Sequence, residues 1–238
     1  IPDTYSVENF RRDALTAMAD ITARGRIPLL VGGTMLYFRA LQQGLSPLPA
    51  ADPEIRIELQ TRLQTIGLDA LRIELSRVDP QTAARVQDTQ RVIRALEVWQ
   101  KTGKPLSQLQ AQKGEAMPYR ALKMICAPTE RHLLHQRIQQ RFAQMLASGF
   151  EEEVAKLMTN PTLHAELPAL RSVGYRQMWA YLQGDYHQSE MIARSEAATR
   201  QLAKRQLTWL RNEPTTHWLP ESKSEQLNTA LQLTSQFI

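Results

Sequence analysis

Apolar residues recur every three or four positions along most of the 238-residue chain, and this spacing predicts a mostly helical protein. The first predicted helix follows Ser6, which can cap it, and places Phe10, Ala14, Met18 and Ile21 on one face. The same spacing, with aspartate or glycine at the ends, predicts the other helices. They begin at Asp52-Pro53, Asp69, Asp79-Pro80 and Asp88 or Thr89, cover 131–148, 150–158, 171–182 and about 189–211, and finish with an amphipathic C-terminal helix.

Short apolar runs predict strands between these helices. Residues 27–31 form an apolar run before Gly32-Gly33, which predicts a buried strand of a parallel sheet. Residues 122–126 predict a second strand, and 217–219 a third short one. Thr34 is expected to cap the helix that follows the glycine turn. The order helix, strand, turn, helix predicts an α/β fold class, and the all-α pattern that follows predicts an inserted domain. The predicted division is an α/β core at 1–45 and 117–238 with a helical domain at 46–116.

Composition narrows the function classes. The chain carries 29 Lys and Arg against 24 Asp and Glu, a net charge of +5, and 42% hydrophobic residues, which is typical of a soluble globular protein. No run approaches the ~20 apolar residues that a membrane span requires. The single cysteine, Cys126, excludes an internal disulfide and a cysteine-based zinc site within the chain. We expect a cytoplasmic monomer without membrane contact.

Positive charge is concentrated towards the C-terminus, where residues 171–211 hold seven Lys or Arg and three acidic residues. At 100° per residue, the basic residues of the last long helix fall on two lines, one about 40° wide and one about 20° wide. The first line holds Arg200, Lys204 and Arg211, and the second holds Arg194 and Arg205. Such stripes favour a phosphate-rich partner, because fixed cations release the counterions of a nucleic acid. An ordinary solvated basic helix has the same pattern, so both interpretations stay open here.

Two other places could bind an anion. Gly32-Gly33-Thr34 follows a predicted strand and opens a helix, so it is either an anion or substrate site or a tight turn with a threonine cap. Arg141 falls at the edge of the apolar stripe of its helix, with Arg137 one turn earlier. An arginine beside a core needs a carboxylate or a bound anion, and guanidinium suits a diphosphate. A structural ion pair is the alternative.

Histidines offer a weaker signal for a metal. His132 and His135 are spaced i, i+3 on one predicted helix, but no third ligand is evident near them. We interpret them as ordinary surface or core histidines.

The segments Arg171-Ser172-Val173-Gly174-Tyr175-Arg176 and Ala198-Thr199-Arg200-Gln201-Leu202-Ala203-Lys204-Arg205-Gln206-Leu207-Thr208-Trp209-Leu210-Arg211 together resemble the tRNA dimethylallyltransferases. The resemblance implies a phosphate-loop NTPase-like parallel sheet with an inserted tRNA-binding helical domain. It implies transfer of a dimethylallyl group from its diphosphate to N6 of adenosine 37 in tRNA, with release of pyrophosphate. Mg²⁺ is the implied cofactor, and the tRNA anticodon stem-loop and dimethylallyl diphosphate are the implied partners.

The resemblance also implies roles for individual residues. Arg141, with Arg137 as runner-up, would stabilise the departing pyrophosphate. Contacts with the tRNA would come from the glycine turn, the inserted domain and the two C-terminal segments. The implied tRNA-binding residues are Thr34, Arg56, Gln90, Arg91, Arg94, Arg171, Ser172, Gly174, Tyr175, Arg176, Lys204, Arg205, Gln206, Thr208, Trp209 and Arg211.

One motif of that family does not occur in the 238 residues, the phosphate loop Gly-x-x-x-x-Gly-Lys-[Ser/Thr]. The sequence opens at Ile1 rather than at methionine, and we expect a fragment without the phosphate loop, the general base and most of the Mg²⁺ site. We expect weak tRNA binding, no transfer and an unpaired sheet edge. Two other functions remain open from sequence alone: a non-catalytic helical RNA-binding module, and a small-molecule phosphotransferase of the phosphate-loop class.

Overall fold

The computed structural model describes residues 5–112, 114–128 and 130–238, which are mostly helical with one small parallel sheet, as predicted. The helices of this part are α1 (Val7–Ala23), α2 (Met35–Gln43), α3 (Pro53–Val78), α4 (Pro80–Ala83), α5 (Thr89–Thr102), α6 (Leu106–Gln110), α7 (Arg131–Ala147), α8 (Phe150–Met158), α9 (Tyr175–Leu182), α10 (Gln188–Arg211) and α11 (Lys223–Phe237). The strands are β1 (Lys123–Ile125) and β2 (Thr216–Trp218).

The chain divides into two compact units. One, the helical unit, contains residues 7–28 and 36–118, and the other, the mixed unit, contains 5–6, 29–35 and 119–238. Helices α1 and α2 therefore belong to the same unit as the predicted helical block 46–116. Whether that block is a domain by itself stays a prediction.

The core of the helical unit lies between α3 and α5. Asp52 caps α3 by accepting hydrogen bonds from the N–H groups of Glu54 and Ile55, as its sequence predicts. Gly67, with a φ of 79°, interrupts the path of α3 close to the second start that was predicted at Asp69. Leucines from both helices fill the core and exclude water, which is the main favourable contribution to folding. The fully buried leucines are Leu59, Leu71, Leu75 and Leu96.

The chain enters and leaves the helical block at one place, which we call the neck (residues 42–46, 110–112 and 114–117). The N–H of Met117 donates to the carbonyl of Gln42 at 3.4 Å, and the hydroxyl of Ser46 donates to the carbonyl of Gln110 at 3.2 Å. Gly44 has a φ of 78°, and a Cβ on it would lie 2.4 Å from the backbone oxygen of Glu115. The two passages of the chain therefore touch backbone to backbone.

The mixed unit packs helices α7 to α10 around one apolar cluster and contains the sheet. Strands β1 and β2 are parallel, with Met124 opposite His217, so the predicted strands at 122–126 and 217–219 are confirmed in outline. The buried cluster joins α7, α8, α9 and α10. Its largest members are Phe142, Phe150, Met178, Trp179 and Met191.

Two predictions about local structure were wrong. Residues 27–31 have no regular secondary structure, and Ile27, Leu29 and Val31 are 63%, 78% and 88% exposed. The reason is that within the described ranges no neighbouring strand pairs with them. Helix α9 begins at Tyr175 rather than at residue 171, because Gly174 has a φ of 94°, outside the helical region.

Candidate nucleic-acid interface

The end of α10 carries an unpaired cluster of cations. Lys204, Arg205 and Arg211 are exposed, and none forms an ion pair with any described residue. The other two predicted cations of this helix differ. Arg194 pairs with Glu190 at 2.6 Å and Arg200 pairs with Glu196 at 3.2 Å. The two predicted stripes therefore reduce to one cationic end of α10, defined as Lys204, Arg205 and Arg211.

An uncharged side of the same helix lies next to the cations. Leu202, Gln206 and Trp209 fall within about 60° of one another at 100° per residue, with Arg205 at one edge. Leu202 and Trp209 are partly exposed. Thr208 differs from them, because its hydroxyl donates to the carbonyl of Lys204 at 2.9 Å within the helix.

The Gly-Gly-Thr turn contacts this uncharged side. The amide nitrogen Nε2 of Gln206 donates a hydrogen bond to the carbonyl oxygen of Gly33 at 2.9 Å. Gly32, Gly33 and Thr34 are all exposed, and α2 begins at the next residue, as predicted. Thr34 and Gln206 thus lie in one part of the mixed unit.

The 171–176 segment presents two more arginines. Arg171 and Ser172 lie in an exposed turn, and Arg176 is exposed in the first turn of α9. Gly174 is buried, and its N–H donates to the side-chain oxygen of Gln177 at 2.9 Å. The Tyr175 hydroxyl donates to the carboxylate of Glu153, and this hydrogen bond raises the pKa of Tyr175. The arginines are therefore available to a ligand, whereas Gly174 and the Tyr175 hydroxyl shape the turn.

Arg137 and Arg141 lie one turn apart on α7, and both are exposed. The expectation that Arg141 needs a counter-charge was wrong, because the residue is exposed to solvent. Neither arginine pairs with an acid in the described ranges. The structural ion pair that was the alternative is therefore not formed there, and both groups stay available to an anion.

Two predicted tRNA contacts in the helical unit are engaged by a buried acid. Glu97 is fully buried, and its carboxylate accepts from Arg56 at 3.1 Å and from Arg94 at 2.9 Å. It also accepts from the backbone N–H of Asp52 at 2.6 Å, and Arg94 donates to the carbonyl of Pro49 at 2.6 Å. Arg56 and Arg94 therefore hold the segment before α3 against α5.

Gln90 and Arg91 are more accessible. Both are exposed in the first turn of α5, where Asp88 caps the helix by accepting from the N–H of Arg91 at 3.1 Å. The Arg91 side chain lies 3.3 Å from the Asp88 carboxylate. Exposed pairs of this kind contribute little to stability, so Arg91 can exchange this partner for a phosphate.

Comparisons with known proteins give the family. The family model described as IPP transferase matches residues 1–213. The chain belongs to the IPP transferase family. The full-length tRNA isopentenylpyrophosphate transferase of Bacillus halodurans is 30% identical, with a TM-score of 0.65, over 99% of this chain and 75% of that one. The tRNA delta(2)-isopentenylpyrophosphate transferase of Staphylococcus epidermidis is 25% identical, with a TM-score of 0.60, over 99% and 77%.

A third solved structure supports the fold of this IPP transferase family member. It is a eukaryotic dimethylallyltransferase acting on tRNA, 23% identical with a TM-score of 0.73, over 98% of this chain and 61% of that one. The resemblance to tRNA dimethylallyltransferases that the sequence indicates is therefore confirmed at the level of the family. The cationic end of α10 lies inside the matched residues.

The acidic, histidine and cysteine side chains of this IPP transferase family member are scattered among its described residues. No three His, Cys, Asp or Glu side chains among them lie close enough together to hold a metal ion. His132 lies 3.6 Å from Glu130, and both are exposed. The described helices also include none that is long and apolar enough to cross a bilayer.

Sequence reasoning missed two features of the site. Glu97 was not recognised as the partner of Arg94, although an acid three residues after an arginine, inside an apolar helix, is a usable signal. The contact between Gln206 and Gly33 joins residues 173 positions apart, and no local pattern could have indicated it.

Proposed function

We propose that this chain serves in tRNA prenylation, the transfer of a dimethylallyl group from its diphosphate to N6 of adenosine 37. Membership of the IPP transferase family supports the reaction class. The observation that carries the RNA part is the cationic end of α10, Lys204, Arg205 and Arg211, which is exposed and unpaired within the described part of the chain. Cations without a protein partner are free to neutralise phosphates.

The proposed reaction is a substitution at an allylic carbon. The bond from N6 to the carbon forms, the bond from that carbon to the diphosphate oxygen breaks, pyrophosphate leaves and N6 loses a proton. Negative charge grows on the leaving oxygen, so cations that face it lower the barrier. Arg141 and Arg137 are our candidates for that role, because both guanidinium groups are exposed and unpaired in the described ranges. Mg²⁺ is expected to bind together with the diphosphate, and the roles proposed for Arg137 and Arg141 are those of their side chains alone.

The RNA would be held by its backbone and by one base. Phosphate contacts from Arg171, Arg176 and the cationic end of α10 position an anticodon stem without reading its sequence. The adenine must swing out of the loop stack, which costs roughly a few kcal/mol. Trp209, partly exposed beside these cations, offers a stacking surface that offsets part of that cost.

The test is a binding titration of the 238-residue chain. The ligand is an anticodon stem-loop with adenosines at positions 36 to 38, and the control is the same stem with a scrambled loop. Both are titrated over a salt series. We expect a preference for the adenosine loop and a steep salt dependence, because several phosphates are neutralised.

Charge reversal at the cationic end of α10 gives the sharpest variant. Lys204→Glu with Arg205→Glu is expected to reduce the magnitude of the slope of log affinity against log salt by roughly 1.4–1.8, at roughly 0.7–0.9 for each of the two lost phosphate contacts. The matched control is Arg26→Glu with Lys223→Glu, two exposed sites outside the interface that change net charge equally. Equal slopes for the two double variants would contradict the proposal, since only general charge would then matter.

A further inference from the structure

The geometry points to Gln206 as a positioning residue that fixes the Gly-Gly-Thr turn against α10, so that the turn reads the RNA loop while the cations bind its backbone. The family resemblance implies a direct tRNA contact for Gln206, and the structure gives its amide another partner. This inference rests on the proposed function and assigns two roles within it. The cationic end of α10 provides RNA affinity, and the turn discriminates between loop sequences.

The first argument is the hydrogen bond itself. Nε2 of Gln206 donates to the Gly33 carbonyl at 2.9 Å, between segments that are 173 residues apart in the chain. The turn is otherwise exposed on all three residues, Gly32, Gly33 and Thr34. An exposed turn has few contacts that hold it in one conformation, so a single specific anchor has a large effect on its order.

The second argument is the close approach of the two segments. A Cβ on Gly33 would lie 2.5 Å from Nε2 of Gln206 and 3.6 Å from its Cδ. A distance of 2.5 Å is below ordinary van der Waals contact, so any other residue at position 33 displaces the glutamine amide. The absence of a side chain at Gly33 lets the Gln206 amide reach the carbonyl, and a Cβ there would move the end of the glutamine side chain away.

The third argument is the order of side chains around α10. At 100° per residue, Lys204 and Arg211 lie within about 20° of each other, Arg205 about 100° from Lys204, and Trp209 about 40° beyond Arg205. Gln206 with the attached turn comes about 60° after Trp209. Around the helix, the cations that would bind the RNA backbone are therefore followed by the Trp209 ring and then by the polar groups of the turn. Backbone N–H and C=O groups and the Thr34 hydroxyl can hydrogen-bond a base edge.

The experiment combines hydrogen exchange with RNA binding in the full 238-residue chain. Gln206→Ala is expected to speed amide exchange in the peptide that covers 29–35, without RNA present. The same variant should lose about five- to tenfold in the preference for the adenosine loop over the scrambled loop, the size of one hydrogen bond of about 1 kcal/mol. Its salt slope should stay unchanged. Gln188→Ala, the same substitution at the opposite, exposed end of α10, is the matched control and should change neither.

A double-variant cycle separates positioning from direct contact. If Gln206 acts through the turn, then Gly33→Ala, Gln206→Ala and the double variant should lose the same loop preference. Additive losses would overturn the inference, because Gln206 would then touch the RNA by itself. Unchanged exchange at 29–35 in Gln206→Ala would also overturn it. Failure of the unaltered chain to bind RNA would instead overturn the proposed function, and the exchange measurement still decides the contact.

Discussion

A charged side chain at a fully buried position has lost its hydrogen bonds with water, and it stays charged only when protein groups replace them. Glu97 meets this condition with three donors, the N–H of Asp52 and the guanidinium groups of Arg56 and Arg94. Burial raises the pKa of Glu97, but these hydrogen bonds and charges outweigh it, and the pKa lies below its ordinary value. The carboxylate is therefore ionised at neutral pH and organises the segment that leads into α3.

Replacing Glu97 should destabilise the helical unit. Glu97→Gln keeps the shape but leaves two arginines without a countercharge, and we expect a loss of about 2–3 kcal/mol in the free energy of unfolding. Urea denaturation followed by circular dichroism measures it. Glu58→Gln, at an exposed site on α3 that lies 4.0 Å from Arg62, is the control and should cost well under 1 kcal/mol. Similar midpoints for the two variants would contradict this account of Glu97.

Asp79 predicts how stability depends on pH. Burial raises its pKa, but hydrogen bonds from Thr82 and Ser107 outweigh burial and lower it below the ordinary value near 4. A lowered pKa in the folded state contributes stability above the unfolded value, and this contribution is lost as pH falls through the folded value. The urea midpoint should therefore fall below about pH 4, and less steeply in Asp79→Asn. Asp69→Asn, at an exposed site, should keep the full slope.

The role of a single residue could be predicted from the sequence where its hydrogen-bond partners are close to it in the chain. Asp52 and Asp88 cap helices through N–H groups two or three residues away, and both helix starts were predicted. Asp79 was predicted as a cap, but its second partner, Ser107, is 28 residues away and was not. Arg56 lies 41 residues from Glu97, so its partner was equally invisible.

Helices and strands were predictable under the same condition, that their hydrogen-bond partners are close in the chain. Helices α7, α8 and α10 were predicted to within a residue or two, because a helix makes its hydrogen bonds within itself. A strand needs a second segment, and residues 27–31 have the composition of a strand without a described partner. Arg194 and Arg200, two cations of the predicted stripes, pair with acids one turn away, so the i, i+4 spacing could have indicated these pairs.

Two glycines with nearly the same φ, one of them in the neck, give a prediction about packing. Gly44 and Gly67 have φ values of 78° and 79°, but a Cβ on Gly67 meets nothing within 4 Å. Gly67→Ala should cost about 1 kcal/mol of unfolding free energy from its backbone conformation alone. Gly44→Ala should cost about 1–3 kcal/mol more, because its Cβ collides with the Glu115 backbone. Equal urea midpoints would show that the two passages of the neck separate easily.

At the scale of the whole molecule, RNA binding is the property that the exposed cations predict. We expect the chain to bind the anticodon stem-loop, because the cationic end of α10 lies within the residues that the family model matches. The salt titration of the stem-loop measures this binding, and equal affinity for the scrambled loop would contradict the expectation.

The neck has a consequence for how the length of the helical block can change. The chain leaves the helical block beside the point where it entered. The block is therefore joined to the rest of the chain at two adjacent backbone positions. Closing a longer or shorter excursion changes the entropy slowly with length. A change in the length of the block should therefore cost little entropy, provided that the close backbone contact at Gly44 is kept.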